Sequence, residues 1–201
     1  TNFNDDGNTV GDVYKVGLGD LELSNDYNFL YAVNLFDRKL YKISTADPTM
    51  KSSFSIPING IPTASGGTCP TDDVRPFGLG RDNAGNIYVG GVCSAQSDQD
   101  QNNLTMYVWK FDGANFTMIV NESLNYERDN RQWLPWEDLT ESQQSKFARR
   151  PMPQVSDIEF DVDGSMILGF IDRFGDITPR ANVTPNADPY PRTGGEILRL
   201  C

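Results

Sequence analysis

Hydrophobic and polar residues alternate with a period of two in several short stretches of this chain, and clusters of Asn, Asp and Gly separate the stretches. The first region, residues 17–45, contains three of them: residues 20–24 and 40–43 alternate, and residues 29–35 are almost continuously apolar. A period of two is typical of β-strands, and Asn and Asp side chains accommodate the backbone of tight turns. The region is therefore predicted to form a three-stranded antiparallel meander.

The same order of strand, turn and strand returns twice. The second unit begins at Arg75 with RPFGLGRDNAGNIYVGGVC, which predicts a strand, a turn and a strand. Its third strand is predicted at residues 105–111, after a polar insertion. VSDIEFDVDGSMILGFI begins at Val155, and its third strand is predicted at residues 195–200. The first strands align as GDLELS, FGLGRD and SDIEFD, which indicates an internal repeat of pattern rather than of identity.

Repeats of about four short strands, with an Asp, Asn and Gly turn between the first two, are typical of β-propeller blades. Fourth strands are predicted at residues 53–58 and 116–120, and the third unit has none. We therefore predict an all-β fold of about three four-stranded antiparallel blades with long surface loops, forming one domain or a fragment of one. Because a complete propeller usually has at least four blades, the blades are expected to belong to a larger ring. The blade-like units are about 17–58, 75–120 and 155–201.

Irregular segments separate these strands. Glycine and proline in residues 59–70 exclude a helix there, and the polar residues 94–103 predict a solvated, linker-like or disordered loop. Residues 124–153 form the longest irregular piece, in which Thr140 is predicted to cap a short helix. Residues 173–193, rich in Pro, Asn and Asp, are predicted to form a surface loop.

Several of these motifs resemble a known group of proteins. LYAVNLFDRKLYKIS resembles the surface-layer type of propeller repeat, and DNAGNIYVGG is similar to the corresponding turn and strand of soluble propellers. The whole chain, including VGDVYKVGLGDLELS and VSDIEFDVDGSMILGFIDRFGD, is similar to propeller-like regions of large secreted bacterial surface proteins, which often carry Cna-B-type domains. The resemblance implies an extracellular or cell-surface location and names no activity. Other segments or copies of the same protein are the expected partners.

The acidic balance of the chain narrows the range of partners. A net charge of −11 and a pI near 4.4 argue against nucleic acid and anionic membrane surfaces, because like charges repel. No apolar run approaches the length of a membrane span, and the absence of an initiator Met or a signal-like start suggests that the chain begins inside a processed or cut protein.

The three cysteines fit an oxidising compartment better than a metal site, because none belongs to a Cys-x-x-Cys pair. Cys69 precedes the second unit and Cys93 ends that unit's second strand, so we predict a disulfide between them. Cys201 is left to pair beyond the observed chain or to stay free. Four Asn-x-Ser/Thr sequons are candidates for glycosylation: Asn103, Asn115, Asn121 and Asn182.

Candidate chemistry is limited because the chain contains no histidine, which removes Ser-His-Asp and Cys-His catalysis and histidine metal ligation. Carboxylates remain. Asp20 and Asp157 hold equivalent positions in first strands, which in propellers line the central channel, so calcium is a candidate cofactor there. Residues 161–164, DVDG, begin like a calcium loop but lack a third ligand and a distal Glu. A hairpin turn with Gly164 at positive φ is the favoured interpretation.

Aromatic residues in the longest insertion suggest a second kind of site. Trp133 and Trp136, with Tyr126, are candidates for a platform that binds a glycan or a peptide, and the alternative is that the indoles pack the insertion onto the scaffold. The favoured function is a non-catalytic structural or adhesive module that could assemble with copies of itself. The alternatives are a carbohydrate-binding module and a carboxylate-dependent or calcium-dependent hydrolase of propeller type.

Overall fold

The structure, a computed structural model, describes residues 9–128, 132–139, 149–177 and 193–201. These ranges form an all-β protein with little helix, as the alternation predicted. The elements in chain order are α1 Thr9–Asp12, β1 Leu18–Leu23, β2 Phe29–Asn34, β3 Lys39–Ser44, β4 Lys51–Ser55, a 3₁₀ turn Thr71–Asp73, β5 Val74–Arg81, β6 Ile87–Cys93, a 3₁₀ turn Gln101–Asn103, β7 Thr105–Phe111, β8 Phe116–Ser123, β9 Pro153–Phe160, β10 Met166–Asp172, α2 Arg173–Ile177 and β11 Glu196–Leu200.

The strands form three antiparallel sheets in which chain neighbours pair: β1-β2-β3-β4, β5-β6-β7-β8 and β9-β10-β11. The fourth strands differ from their predicted bounds because their partners set their ends. In the first sheet Ser55 already lies opposite Lys39, where β3 begins, so β4 ends before residues 56–58. In the second sheet β7 begins at Thr105, opposite Ser123, so β8 continues beyond residue 120.

The first strands of the three sheets lie next to one another, with β5 in contact with both β1 and β9. Glycines allow the close approach. A Cβ on Gly80 would lie 2.1 Å from the carbonyl oxygen of Ile158, and one on Gly78 would lie 2.9 Å from the backbone nitrogen of Asp157. Within the described residues the three sheets do not close into a ring.

Two hydrophobic clusters fill the spaces between the sheets. One face of each sheet packs on the next, as the alternation of apolar side chains requires. The cluster between the first and second sheets includes Tyr31, Val33, Leu40, Leu79 and Ile87, and the cluster between the second and third includes Tyr88, Val108, Ile158, Met166 and Leu168.

Residues 94–103 are more ordered than their composition predicted. Asp100 caps the 3₁₀ turn by accepting a 2.9 Å hydrogen bond from the backbone N–H of Asn102. The side chains of Gln99 and Gln101 donate to backbone carbonyls of Trp136 and Trp133, each at 2.8 Å. These hydrogen bonds to the segment that contains Trp133 and Trp136 hold residues 94–103 in place, although these residues have few apolar side chains to bury.

The segment from residue 173 was predicted to be a surface loop, and this prediction was wrong at its start. α2 occupies Arg173–Ile177, and Arg173, Phe174 and Ile177 are buried. The turn at residues 161–164 was predicted correctly, since Gly164 has a φ of 86°. The helix predicted at Thr140 lies outside the described residues.

Candidate functional site

Trp133 and Tyr126, two of the predicted platform residues, meet at the carboxylate of Glu196 on β11. The indole Nε1 donates to Glu196 Oε2 at 2.9 Å, and the Tyr126 hydroxyl donates to the same oxygen at 2.6 Å. Arg128 also pairs with that oxygen at 3.1 Å, and its guanidinium lies 3.7 Å from the Trp133 ring centroid. Burial and the bond to Glu196 raise the pKa of Tyr126. Trp133 is fully buried, so this arrangement fastens the insertion to β11 rather than presenting an indole face.

Trp136 is also fully buried, between two arginines. The guanidinium carbons of Arg173 and Arg75 lie 4.8 and 5.6 Å from its ring centroid, distances at which cation–π attraction contributes. Its indole nitrogen donates to the carbonyl of Pro153 at 2.7 Å, where β9 begins. The structure therefore agrees with the packing alternative for both indoles, and neither offers the exposed face that stacking on a sugar needs.

The buried Arg173 is the centre of a polar network, which we call the Arg173 cluster: Arg173, Asp138, Lys15 and Trp136. Its guanidinium donates to the carbonyls of Val13 and Glu137, both at 3.0 Å, and to Asp138 Oδ1 at 2.7 Å. Lys15 reaches the other oxygen of Asp138 at 2.6 Å. The cluster thus joins three segments that are far apart in sequence: the one before β1, the long insertion and α2.

The charges of this cluster stabilise one another. Burial opposes ionisation of Asp138, but hydrogen bonds from Lys15 and Arg173 outweigh it and lower the pKa of that carboxyl. Burial lowers the pKa of Lys15, and the hydrogen bond that Lys15 donates to Asp138 opposes that shift. A buried charge without a partner is costly, so the fully buried Arg173 depends on its ion pair with Asp138.

Asp172, at the end of β10, holds three backbone groups together. Its carboxylate accepts hydrogen bonds from the N–H groups of Met152, Phe174 and Gly194 at 2.9, 3.0 and 3.2 Å. Burial raises the pKa of Asp172 to about 6, although these three bonds favour the ionised form. The carboxylate therefore fixes the starts of α2 and of the segment that leads into β11.

Sequence reasoning missed Arg173, Asp138, Asp172 and Glu196. The first two lie in polar insertions, where charged residues are usually solvated, and the other two lie at strand ends. One signal was present in the sequence: Phe174 and Ile177 are three residues apart in an otherwise polar insertion, which is typical of one face of a helical turn. Nothing local indicated which carboxylate each arginine would meet.

The predicted calcium pair lies on β1 and β9, the first strands of the first and third sheets. Asp20 on β1 accepts hydrogen bonds from the N–H groups of Leu21 at 2.7 Å and Leu79 at 3.0 Å. Asp157 on β9 accepts one from Ile158 at 2.9 Å. Burial raises the pKa of Asp20, and the negative charge of Asp157 adds to the shift. The described residues contain no group of three or more His, Cys, Asp or Glu side chains placed to hold a metal ion.

In the turn before β10, Asp161 and Asp163 both face Arg199 on β11. Their carboxylates lie 3.0 and 2.6 Å from the Arg199 guanidinium. Asp163 also accepts a hydrogen bond from the backbone N–H of Ser165 at 2.9 Å. The two carboxylates thus stabilise the turn between β9 and β10 and its contact with β11.

The sequons have different surroundings. Asn115 is exposed in the turn between β7 and β8. The amide nitrogens of Asn103 and Asn121 donate to Asp98 at 2.7 Å and to the Pro62 carbonyl at 3.2 Å, and both residues are half-buried. Asn182 lies outside the described residues. Asn115 is therefore the most accessible acceptor among the described sequons.

The disulfide between Cys69 and Cys93 is present, with 24 residues of sequence separation, and both residues are buried. Cys201 is a free, exposed cysteine. The bridge ties the loop before β5 to the end of β6. Among the described helices, none has the length and apolar character that crossing a bilayer requires.

No protein-family model matches the chain. It is similar to three proteins of Dictyostelium discoideum. It is 29% identical to Colossin-B over 221 residues, covering 97% of this chain and 5% of Colossin-B. It is 28% identical to Colossin-C and 30% identical to Colossin-D, covering 83% and 84% of this chain. The chain spans only 16% and 17% of the length of these last two curated relatives.

Proposed function

We propose that this chain is a non-catalytic structural or adhesive module of a secreted or cell-surface protein, built from blades of a β-propeller. The propeller arrangement is supported by the contacts of β5 with both β1 and β9, because the first strands of successive propeller blades are neighbours. It is also supported by the two inter-sheet clusters, in which corresponding faces of successive sheets pack together.

The observation that carries the proposed role is the fastening of the long insertion to the sheets. Arg173 ties residues 137 and 138 to α2 and to the segment before β1, while Glu196 holds Tyr126 and Trp133 against β11. Polar side chains that could act on a ligand are used instead to fix backbone segments. Such a scaffold presents its outer loops as a rigid contact surface.

The extracellular location is supported by the buried disulfide between Cys69 and Cys93, because structural disulfides persist in oxidising compartments. An acidic surface with a net charge of −11 favours solubility there. The exposed sequon at Asn115 is compatible with the same compartment.

Surface labelling of the source organism tests the location. Antibodies raised against the purified chain should label intact cells or the culture medium, and added protease should remove the label from the cells. Label that appears only after permeabilisation would contradict the proposal.

A competition assay separates the adhesive role from the structural one. Purified chain added to the cells should reduce their attachment if the module is adhesive. The matched control is the same chain after reduction and alkylation under denaturing conditions, which has the same composition and charge pattern apart from the blocked cysteines. Inhibition by the native chain alone favours adhesion, and no inhibition by either favours a structural role.

A further inference from the structure

Leu21 holds a position in the first sheet that is buried in the other two. The three sheets can be aligned on one equivalent pair of residues from their first and second strands. These pairs are Leu21 with Ala32, Leu79 with Val89 and Ile158 with Leu168. Leu79 is 0% exposed and Ile158 is 1% exposed, each against the preceding sheet, whereas Leu21 is 50% exposed. Leu18 and Leu23 on the same strand are exposed as well. The face of the first sheet that carries Leu21, which we call the entry face, has no preceding sheet among the described residues.

Ile197 on the third sheet is exposed at a position that is buried in the first two sheets. The corresponding pairs of the second and third strands are Val33 with Leu40, Gly90 with Val108 and Gly169 with Ile197. Leu40 and Val108 are both 0% exposed against the following sheet, whereas Ile197 is 76% exposed. The face of the third sheet that carries Ile197, which we call the exit face, has no following sheet among the described residues.

The exit face keeps the side-chain pattern of the two faces that are already covered. Tyr31 lies opposite Lys42 in the first sheet and Tyr88 lies opposite Lys110 in the second. In the third sheet Ile167 lies opposite Arg199, again an apolar residue beside a cation. The third sheet is therefore equipped to pack on a following sheet in the way that its predecessors do.

The two open faces are the two halves of one repeated interface. Leu40 and Leu79 lie in the same hydrophobic cluster, and so do Val108 and Ile158. By the same correspondence, a residue at the position of Ile197 belongs beside one at the position of Leu21. Every copy of this chain carries one face of each kind.

We propose that the exit face of one chain packs on the entry face of a second copy, and that two copies close a ring of six sheets. This inference rests on the propeller arrangement proposed above. Propellers typically have four to eight blades, and six is the only multiple of three in that range. The ring has two seams, each formed by the exit face of one copy and the entry face of the other. A twofold axis through the centre of the ring makes these seams identical, so the head-to-tail contact closes instead of growing into a filament.

Light scattering coupled to size-exclusion chromatography tests the proposal on the full 201-residue chain, over a series of concentrations. All proteins carry Cys201→Ser, so that an intermolecular disulfide cannot imitate the contact. The wild-type surface should give twice the chain mass of 22.4 kDa. Leu21→Asp and Ile197→Asp should each halve the mass at the same concentration, since each places a carboxylate in both seams.

Val162→Asp is the matched control, because Val162 is 102% exposed in a turn, and it should leave the mass at two chains. Circular dichroism of the variants should match that of the parent, which shows that lost association is not lost folding. An equimolar mixture of Leu21→Asp and Ile197→Asp should partly recover the mass of two chains, because one of its two seams carries neither substitution.

The proposal would be overturned by a single chain at every concentration, by a dimer that is insensitive to both substitutions, or by masses above two chains. A dimer that only one of the two substitutions disrupts would also overturn it, since that result indicates two faces of the same kind in contact. None of these results bears on surface exposure in cells, so the location proposed above is judged separately.

Discussion

The carboxylate of Asp20 accepts a hydrogen bond from the backbone N–H of Leu79 at 3.0 Å, across the boundary between the first and second sheets. The pairing of β5 with β6 shifts register between Pro76 and Leu79, so this N–H lies where the regular ladder is interrupted. Asp20 therefore satisfies a backbone donor of the neighbouring sheet and links β1 to β5.

Replacing Asp20 with alanine should destabilise the fold, because Leu79 is buried and its N–H would lose this acceptor. An unsatisfied buried donor costs about 1–3 kcal/mol. Urea denaturation of Asp20→Ala measures the loss. Asp157→Ala is the control: its carboxylate is exposed and bonds the N–H of the next residue, so a clearly smaller loss is expected. Equal losses would mean that the inter-sheet bond contributes nothing of its own.

Gly80→Ala should be among the most destabilising substitutions of a small residue in this chain. The added Cβ would lie 2.1 Å from the carbonyl oxygen of Ile158, so β5 and β9 would have to separate. Overpacking costs about 1–3 kcal/mol and sometimes more. Thermal unfolding compares it with Gly67→Ala, whose Cβ would meet its nearest neighbour at an ordinary 3.5 Å. A Tm for Gly80→Ala equal to that of Gly67→Ala would contradict the close packing of these strands.

Removing the disulfide should cost about 3–4 kcal/mol of unfolding free energy, given a sequence separation of 24 residues between Cys69 and Cys93. The double variant Cys69→Ala, Cys93→Ala measures this loss by denaturant titration. Cys201→Ser should leave stability unchanged, because Cys201 is exposed and free. Titration of the unfolded, unreduced protein with a thiol reagent should detect one free thiol, and three would exclude the bridge.

Arg173→Ala should lower the unfolding free energy by about 1–3 kcal/mol, because it leaves two backbone carbonyls without their donor and the partly exposed Asp138 without one of its two cations. Arg199→Ala is a suitable comparison. Its ion pairs with Asp161 and Asp163 are about half exposed on the arginine side, so a loss below about 1 kcal/mol is expected. Limited proteolysis should also cleave Arg173→Ala faster in the long insertion, and unchanged cleavage there would contradict the fastening role.

Asp172 should make stability fall as the pH rises towards neutrality. Its pKa in the folded protein is about 6, above the ordinary 3.8, so the folded state holds the proton more tightly than the unfolded state does. The contribution of Asp172 to the unfolding free energy is complete below its pKa in the unfolded state. It is lost as the pH rises through its pKa in the folded state. It amounts to about 3 kcal/mol.

Asp172→Asn isolates this contribution from the other carboxylates, because asparagine does not titrate. The difference in unfolding free energy between the parent and Asp172→Asn should change by that amount between about pH 4 and about pH 7. NMR titration of the Asp172 carboxyl should give a midpoint near 6. A constant difference between the two proteins would show that the pKa of Asp172 is not raised by folding.

The sequence by itself determined the strands, their order and most of their turns, because these depend on a local period of two and on residues such as Gly164 that suit a turn. It also placed Cys69 just before the second unit and Cys93 at the end of that unit's second strand, which was enough to predict their bridge. Tertiary structure decided what the side chains do. Asp20 bonds a residue 59 positions away and Arg173 a carbonyl 160 positions away, and no local pattern specifies such partners. The burial of Trp133 and Trp136 was decided in the same way, since an indole in an insertion is exposed or covered according to how the sheets it reaches are placed.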